Sequence, residues 1–260
     1  MNRNGFAMKM RESNRNLHTA AETTGFNARL VAGKATTQSY AEFLFNLKAA
    51  YEAIERNLDK NSNVEALKPF ITKDLYRSEQ IEKDLQVLLG DKVKDLTLLP
   101  SAIAYAARID ELGTNNPMLL VAHAYTRFLA DLFGGRTIFK IVKESYKIDD
   151  SALNYFMFPE IEDSMARAMA YVGNLSKMEL TPEMEALMLN EIANAYIYNI
   201  GVSVELEAKL FQVDPHAKMP AGHPEVKPGM KMPAGHPHMG GHPHGQMPAG
   251  HPHMAGHSHK

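Results

Sequence analysis

The sequence predicts an all-α domain followed by a segment with no core of its own, and three observations carry that reading. Apolar residues recur three to four positions apart over long stretches, no segment sustains a period of two, and composition changes abruptly near Val213. The last 48 residues, Val213 to Lys260, hold ten of the 12 histidines, nine of the 14 prolines and eight of the 17 glycines. They hold none of the 21 Phe and Tyr, so little is available to offset the entropy of ordering them. Residues 1–212 carry every aromatic and suffice for one packed domain, while 213–260 are expected to be a disordered tail.

Taken in order, the spacing predicts helices over Arg11–Glu22, Gln38–Leu58, Ser78–Leu89, Ser101–Leu112, Pro117–Phe133, Arg136–Tyr146, Glu160–Gly173 and Pro182–Phe211. Asn116 before Pro117, and Thr181 before Pro182, pair a capping side chain with a residue that needs no N–H partner. Gly113 and Gly173 are predicted stops. Apolar periodicity continues on both sides of Gly134-Gly135, so the pair lies within one long helix or between two coaxial ones, and it predicts a kink.

Charge and composition narrow the function. Residues 1–212 carry 24 basic and 28 acidic side chains, and the tail carries four lysines against Asp214 and Glu225, so neither part has the basic excess of a nucleic-acid binder. A chain without cysteine has no disulfide, thiolate nucleophile or iron–sulfur ligand. The opening MNRNGFAMKM lacks the apolar run of a signal peptide, and the longest apolar stretch, Met118–Phe133, is interrupted by His123, Arg127 and Asp131. No membrane span and a cytoplasmic location are expected.

Only two histidines lie outside the tail, and His18 has Glu22 one helical turn later, where side chains meet. A carboxylate on one imidazole nitrogen fixes the tautomer and makes the other nitrogen a better metal ligand; a surface His–Glu contact is the alternative. From Ala122 to Arg136 an otherwise apolar helix contains His123, Tyr125, Thr126, Arg127 and Asp131 and ends at the double glycine. Arg127 and Asp131, four apart, suggest a hydrogen-bonded network or an ordinary helix ion pair. The glycines are either a packing notch or a place where helix backbone approaches a flat ligand.

LHTAAE around His18, LLVAHAYTRFLADLFGG from Leu119, YFMFPEI from Tyr155, MELTPEM from Met178 and NAYIYNI from Asn194 resemble the haem oxygenase family in order and spacing. The resemblance spans roughly Arg11 to Leu210 and is carried chiefly by the second stretch. It implies an all-α fold holding haem, both cofactor and substrate, between a proximal helix and a kinked distal helix. His18 would be the axial iron ligand with Glu22 on its other nitrogen, and Gly134 and Gly135 would cover the opposite face. Molecular oxygen, with electrons from a reductase or ferredoxin, would open the ring to biliverdin, carbon monoxide and ferrous iron, the bilin passing to an accepting enzyme. A neutral imidazole leaves the opposite coordination site free. Asp131 would organise proton-delivering waters with Arg127 and Tyr51, and Tyr196 and Asn199 would lie near the haem edge or serve as ordinary core residues.

Two departures stand out. Ala130 occupies a position where the family usually has glycine; a displaced water there would give peroxidase-like behaviour, but a small helix rotation together with the altered Phe133 accommodates one methyl, and oxygenase activity is still expected. Ala168 and Val172 occupy positions that are basic in mammalian relatives and clamp the haem propionates. Arg11, Arg15, Tyr125, Arg167 or Lys177 would substitute, which leaves the biliverdin isomer open.

The tail repeats MPAGHP from Met219, Met232 and Met247, with HPHM from His236 and His251. Imidazole and thioether on a flexible backbone suit copper, nickel or zinc, with His223, His236, His238, His242, His244, His251, His253, His257 and His259 as candidate ligands. An affinity tag and a solubilising tail are the other readings. A non-catalytic haem-binding or storage protein with a metal-buffering tail is the rival to the oxygenase, and a helical metal buffer the third possibility.

Overall fold

The computed structural model of the protein describes residues 5–211, and its description begins there because the tail and the first four residues lie outside that range. Nine α-helices and several short 3-10 turns make up the described residues, with no strand among them. The helices are α1 (Gly5–Ser13), α2 (Arg15–Thr23), α3 (Gly25–Val31), α4 (Thr37–Lys60), α5 (Ser78–Leu89), α6 (Pro100–Asn115), α7 (Leu120–Tyr146), α8 (Ser164–Ser176) and α9 (Pro182–Leu210).

Two long helices organise the packing: α4 lies against α5 and α6, while α9 touches α2, α3, α6 and α7. One face of α4 sinks inward, with Tyr51, Ile54 and Leu58 wholly buried in one cluster with Tyr105 and Ile109 of α6 and Phe128 of α7. Each such side chain contributes about 1.5–3 kcal/mol by leaving water. None of the described helices is long and apolar enough to cross a membrane.

Several boundaries differ from the sequence reading for local reasons. The predicted helix Arg11–Glu22 is two helices, because the buried Asn14 turns its amide onto the Met10 carbonyl at 3.3 Å and interrupts the ladder. The predicted segments 117–133 and 136–146 form one unbroken helix, α7, entered through a 3-10 turn at Pro117–Leu119 where Asn116 makes no side-chain cap bond. Gly113 and Gly173 do not stop their helices but lie inside α6 and α8. Gly113 is instead a notch: a Cβ there would come within 2.0 Å of the Asn57 amide. α8 starts at Ser164, four residues later than expected, where Asp163 accepts from two free backbone N–H groups. Thr181 does cap α9, accepting from Met184 N at 3.2 Å ahead of Pro182.

The unexpected helix α3 matters for the site. Gly25 turns the chain with φ of +59°, and a Cβ there would lie 2.6 Å from the Ser203 carbonyl, so only glycine lets the α2–α3 corner press on α9. The Ser203 hydroxyl donates to Thr24 O at 3.0 Å and accepts from Asn27 N at 2.9 Å. These bonds fasten α2, and with it His18, to the longest helix.

Candidate functional site

On α2 the His18 side chain is about half exposed, 53%, with Nδ1 at 3.5 Å from Glu22 Oε2. Its ring stands edge-on to Tyr196 of α9, centroids 5.9 Å apart and planes at 70°. No residue of α2 is buried, and its main packing is against α3 and α9, so His18 has an open side. Arg11 of α1 and Arg15 of α2 are also exposed. Burial raises the Tyr125 hydroxyl above its ordinary value, and the Arg11 charge opposes that rise.

On α7 the polar residues form a network rather than a simple ion pair. Arg127 and Asp131 are 3.6 Å apart, but the closer partners of the carboxylate are two phenols. Tyr51 of α4 donates to Asp131 Oδ2, and Tyr155, in the turn Asn154–Phe156, donates to Oδ1 at 2.6 Å. One Arg127 nitrogen bonds both phenol oxygens at 3.0 Å, and another reaches Asn199 Oδ1 at 3.0 Å. Burial raises the Asp131 carboxyl above its usual range, while Arg127 and the phenols favour its charged form. Burial opposes the Arg127 charge, but Tyr51, Tyr155 and Asp131 outweigh it and hold the guanidinium protonated.

The chain of bonds continues outward. The Asn199 amide donates to Tyr105 Oη at 3.2 Å, Tyr105 lies 3.5 Å from His123 Nδ1, and His123 Nε2 is 3.0 Å from Glu191. Glu191, itself buried, meets the partly exposed Arg108 at 2.6 Å. His123 is therefore a buried structural histidine. Burial lowers its pKa, and although burial penalises the Glu191 charge, His123 and Arg108 bring that carboxyl down to about 2.

The other face of α7 is open. Ala130 is exposed and Phe133 is 49% exposed. A Cβ at Gly134 would meet nothing within 4 Å, and one at Gly135 would find only the Phe156 ring at 3.9 Å. Gly134 is therefore no notch for a packed neighbour within the described residues, while Gly135 is buried beside Phe156. Of the basic residues considered for the propionates, Arg167 is already held by Asp74 through two contacts, the longer 2.9 Å. Lys177 lies with Pro69, Phe70 and Met118 on a separate groove of about 200 Å³.

Tyr155, Tyr105 and Glu191 escaped the sequence reading as members of the network. Their only signal was that His123, Arg127 and Asp131 in an apolar helix needed partners; which tyrosine and which glutamate supplied them depended on distant helices.

The described residues are thus an all-α bundle with a half-exposed imidazole on α2 and a buried, phenol-bound carboxylate on α7. Comparison with known proteins agrees. Residues 4–205 match the family model described as "Heme oxygenase". The chain is 32% identical to a heme oxygenase of Takifugu rubripes, covering 78% of this chain and 74% of that one. It is 31% identical to the heme oxygenase of Guillardia theta, covering 81% and 90%. Among solved structures, heme oxygenase-1 from the cyanobacterium Synechocystis sp. PCC6803 in complex with heme superposes with a TM-score of 0.75 at 27% identity, over 78% of this chain and 93% of that one. The Leptospira interrogans heme oxygenase gives 0.74 at 28% identity, over 77% and 98%. The chain belongs to the haem oxygenase family and is a haem-degrading enzyme, with biliverdin as the family's product.

The residues present fit that substrate. Haem asks for a nitrogen donor with an open approach, apolar surface and room for a flat ring; half-exposed His18, exposed Ala130 and Phe133, and the clear space at Gly134 supply them.

Proposed function

We propose that His18 is the axial ligand of haem, that Glu22 orients its imidazole, and that Asp131, Arg127 and Tyr51 handle protons on the opposite side. When bound, haem supplies the iron that activates molecular oxygen and the ring that is opened. The observation that carries this reading is the placement of buried Asp131, gripped by two phenols, one turn before Gly134, whose Cβ position is open. Tyr196 holds the His18 ring edge-on and limits its rotation. Asn199 fixes Arg127 from α9, so the network keeps its geometry without the ligand. Arg11, Arg15 and Tyr125 anchor the propionates in this reading, and Ala130, Gly134 and Gly135 form the surface over the ring.

Electrons come from a reductase or ferredoxin, the product passes to a biliverdin-accepting enzyme, and the protein works in the cytoplasm. Residues 213–260 form a separate segment that binds copper, nickel or zinc through its repeated histidines. Imidazole-rich sites prefer these ions to ferrous iron.

The test is reconstitution with haem followed by reductant and oxygen. Oxygenase activity gives loss of the Soret band with biliverdin absorption and ferrous iron. A band that persists supports the storage reading, which the exposed Ala130 methyl motivates, and the absence of a stoichiometric band sinks both. For the tail, truncation after Val213 is expected to abolish high-stoichiometry metal binding in calorimetry; unchanged stoichiometry refutes its role.

A further inference from the structure

We propose that Tyr155 is a positioning residue for Asp131: with Tyr51 it forms a two-phenol clamp that lets the carboxyl group take up and release a proton without moving. The proposal rests on the reading of Asp131 as the proton-handling acid of the distal helix, but its first test does not.

The geometry supplies both halves of the argument. Each carboxylate oxygen of Asp131 accepts from one phenol, Oδ2 from Tyr51 and Oδ1 from Tyr155 at 2.6 Å. A tyrosine has one hydroxyl proton, so with both protons committed to Asp131 the 3.2 Å contact between the two phenol oxygens contains no hydrogen. Arg127 fills that position by donating to both oxygens at 3.0 Å. When Asp131 gains one proton from solvent, one phenol rotates its O–H away from the acid and onto the other phenol, whose oxygen is already within hydrogen-bond distance. When the proton leaves, the hydroxyl rotates back. One proton enters, one leaves, and no heavy atom shifts.

Tyr155 is held firmly enough to act this way. Asp84 of α5 accepts from the backbone N–H of Asn154 at 2.7 Å and of Tyr155 at 2.8 Å, so a buried carboxylate pins the short turn that carries the phenol. Arg77 stacks over Phe158 at 4.0 Å and bonds the Met157 carbonyl, bracing the chain on the other side. The titratable and charged groups about Asp131 are Tyr51 of α4, Arg77 ahead of α5, Arg127 of its own helix and Tyr155. Of these, both phenols favour the carboxylate by donating to it.

The experiment is a carboxyl-carbon NMR titration of Asp131 in the protein without haem, in wild type, Tyr155→Phe and Tyr51→Phe. Phenylalanine keeps the ring, and a melting curve establishes that each variant is folded. Losing one donor is expected to raise the proton affinity of Asp131 about tenfold, one unit in its midpoint, in each variant. A midpoint in Tyr155→Phe equal to wild type overturns the proposal. The haem-loaded protein then separates this idea from the reading beneath it. If Asp131→Asn shifts the pH-dependent Soret transition, Tyr155→Phe is expected to shift it too. If the haem spectrum ignores Asp131→Asn while the carboxyl midpoint still moves in Tyr155→Phe, the clamp stands and Asp131 loses its place beside the haem.

Discussion

His123 and Glu191 face each other at 3.0 Å between α7 and α9, with both side chains shut away from solvent. The imidazole is neutral because burial lowers its pKa, and with Nε2 donating to Glu191 its Nδ1 is left to accept from Tyr105. This is an architectural device that joins the two helices bearing Asp131 and Tyr196. Replacing His123 with alanine leaves Glu191 sharing its buried site with Arg108 and the Asn194 amide, and an unfilled space where the imidazole stood. The expected cost is about 3 kcal/mol in urea unfolding, with the haem-binding residues intact.

The same pair sets a pH dependence with a definite sign. Both groups have folded pKa values below their unfolded ones, so both bind fewer protons when folded, and stability falls as pH falls. The His123 contribution is complete above the ordinary histidine pKa, about 6.5, and declines below it. The Glu191 contribution disappears between its ordinary value of 4.5 and about 2. Melting temperatures measured from pH 8 to pH 3 should decline, and the acid part of the decline should be shallower in Glu191→Gln.

His18→Ala is expected to abolish normal turnover and weaken haem binding, with added imidazole restoring the ferric spectrum. Full activity without imidazole removes His18 from the iron. Because Glu22 stands 3.5 Å from Nδ1 and is exposed, Glu22→Ala should cost about tenfold in haem affinity, the lower end of outer-shell effects.

Gly134→Ala separates folding from function. Nothing within 4 Å opposes the new methyl, so the haem-free protein should gain about 1 kcal/mol from helix propensity. Haem titration should show weaker binding if Gly134 lies over the ring as proposed. Stabilisation without any loss of affinity indicates that the ring approaches α7 elsewhere.

Much of this protein was legible in one dimension. Periodicity located the long helices, since the face that must leave water repeats every three to four residues, and α5 starts and ends where the pattern does. The paired signals at His18 and Glu22 and at Arg127 and Asp131 were visible because one helical turn is a local relationship. Glycine was the least legible residue. Gly113 and Gly173 resemble stops in the sequence, whereas Gly25, which does turn the chain, was overlooked, because a neighbouring helix decides whether the missing Cβ is a notch, a corner or a bare surface.

What only the tertiary structure decided was partnership. A buried Asp131 requires donors, but nothing near it in sequence names Tyr51 or Tyr155, which are 80 and 24 residues away. His123 and His18 look alike as single histidines on predicted helices; packing buries one against Glu191 and leaves the other half exposed beside Tyr196. Local sequence determines where helices form because their hydrogen bonds are local. Which polar groups meet inside depends on how helices cross, and that is set by the shapes of whole buried faces.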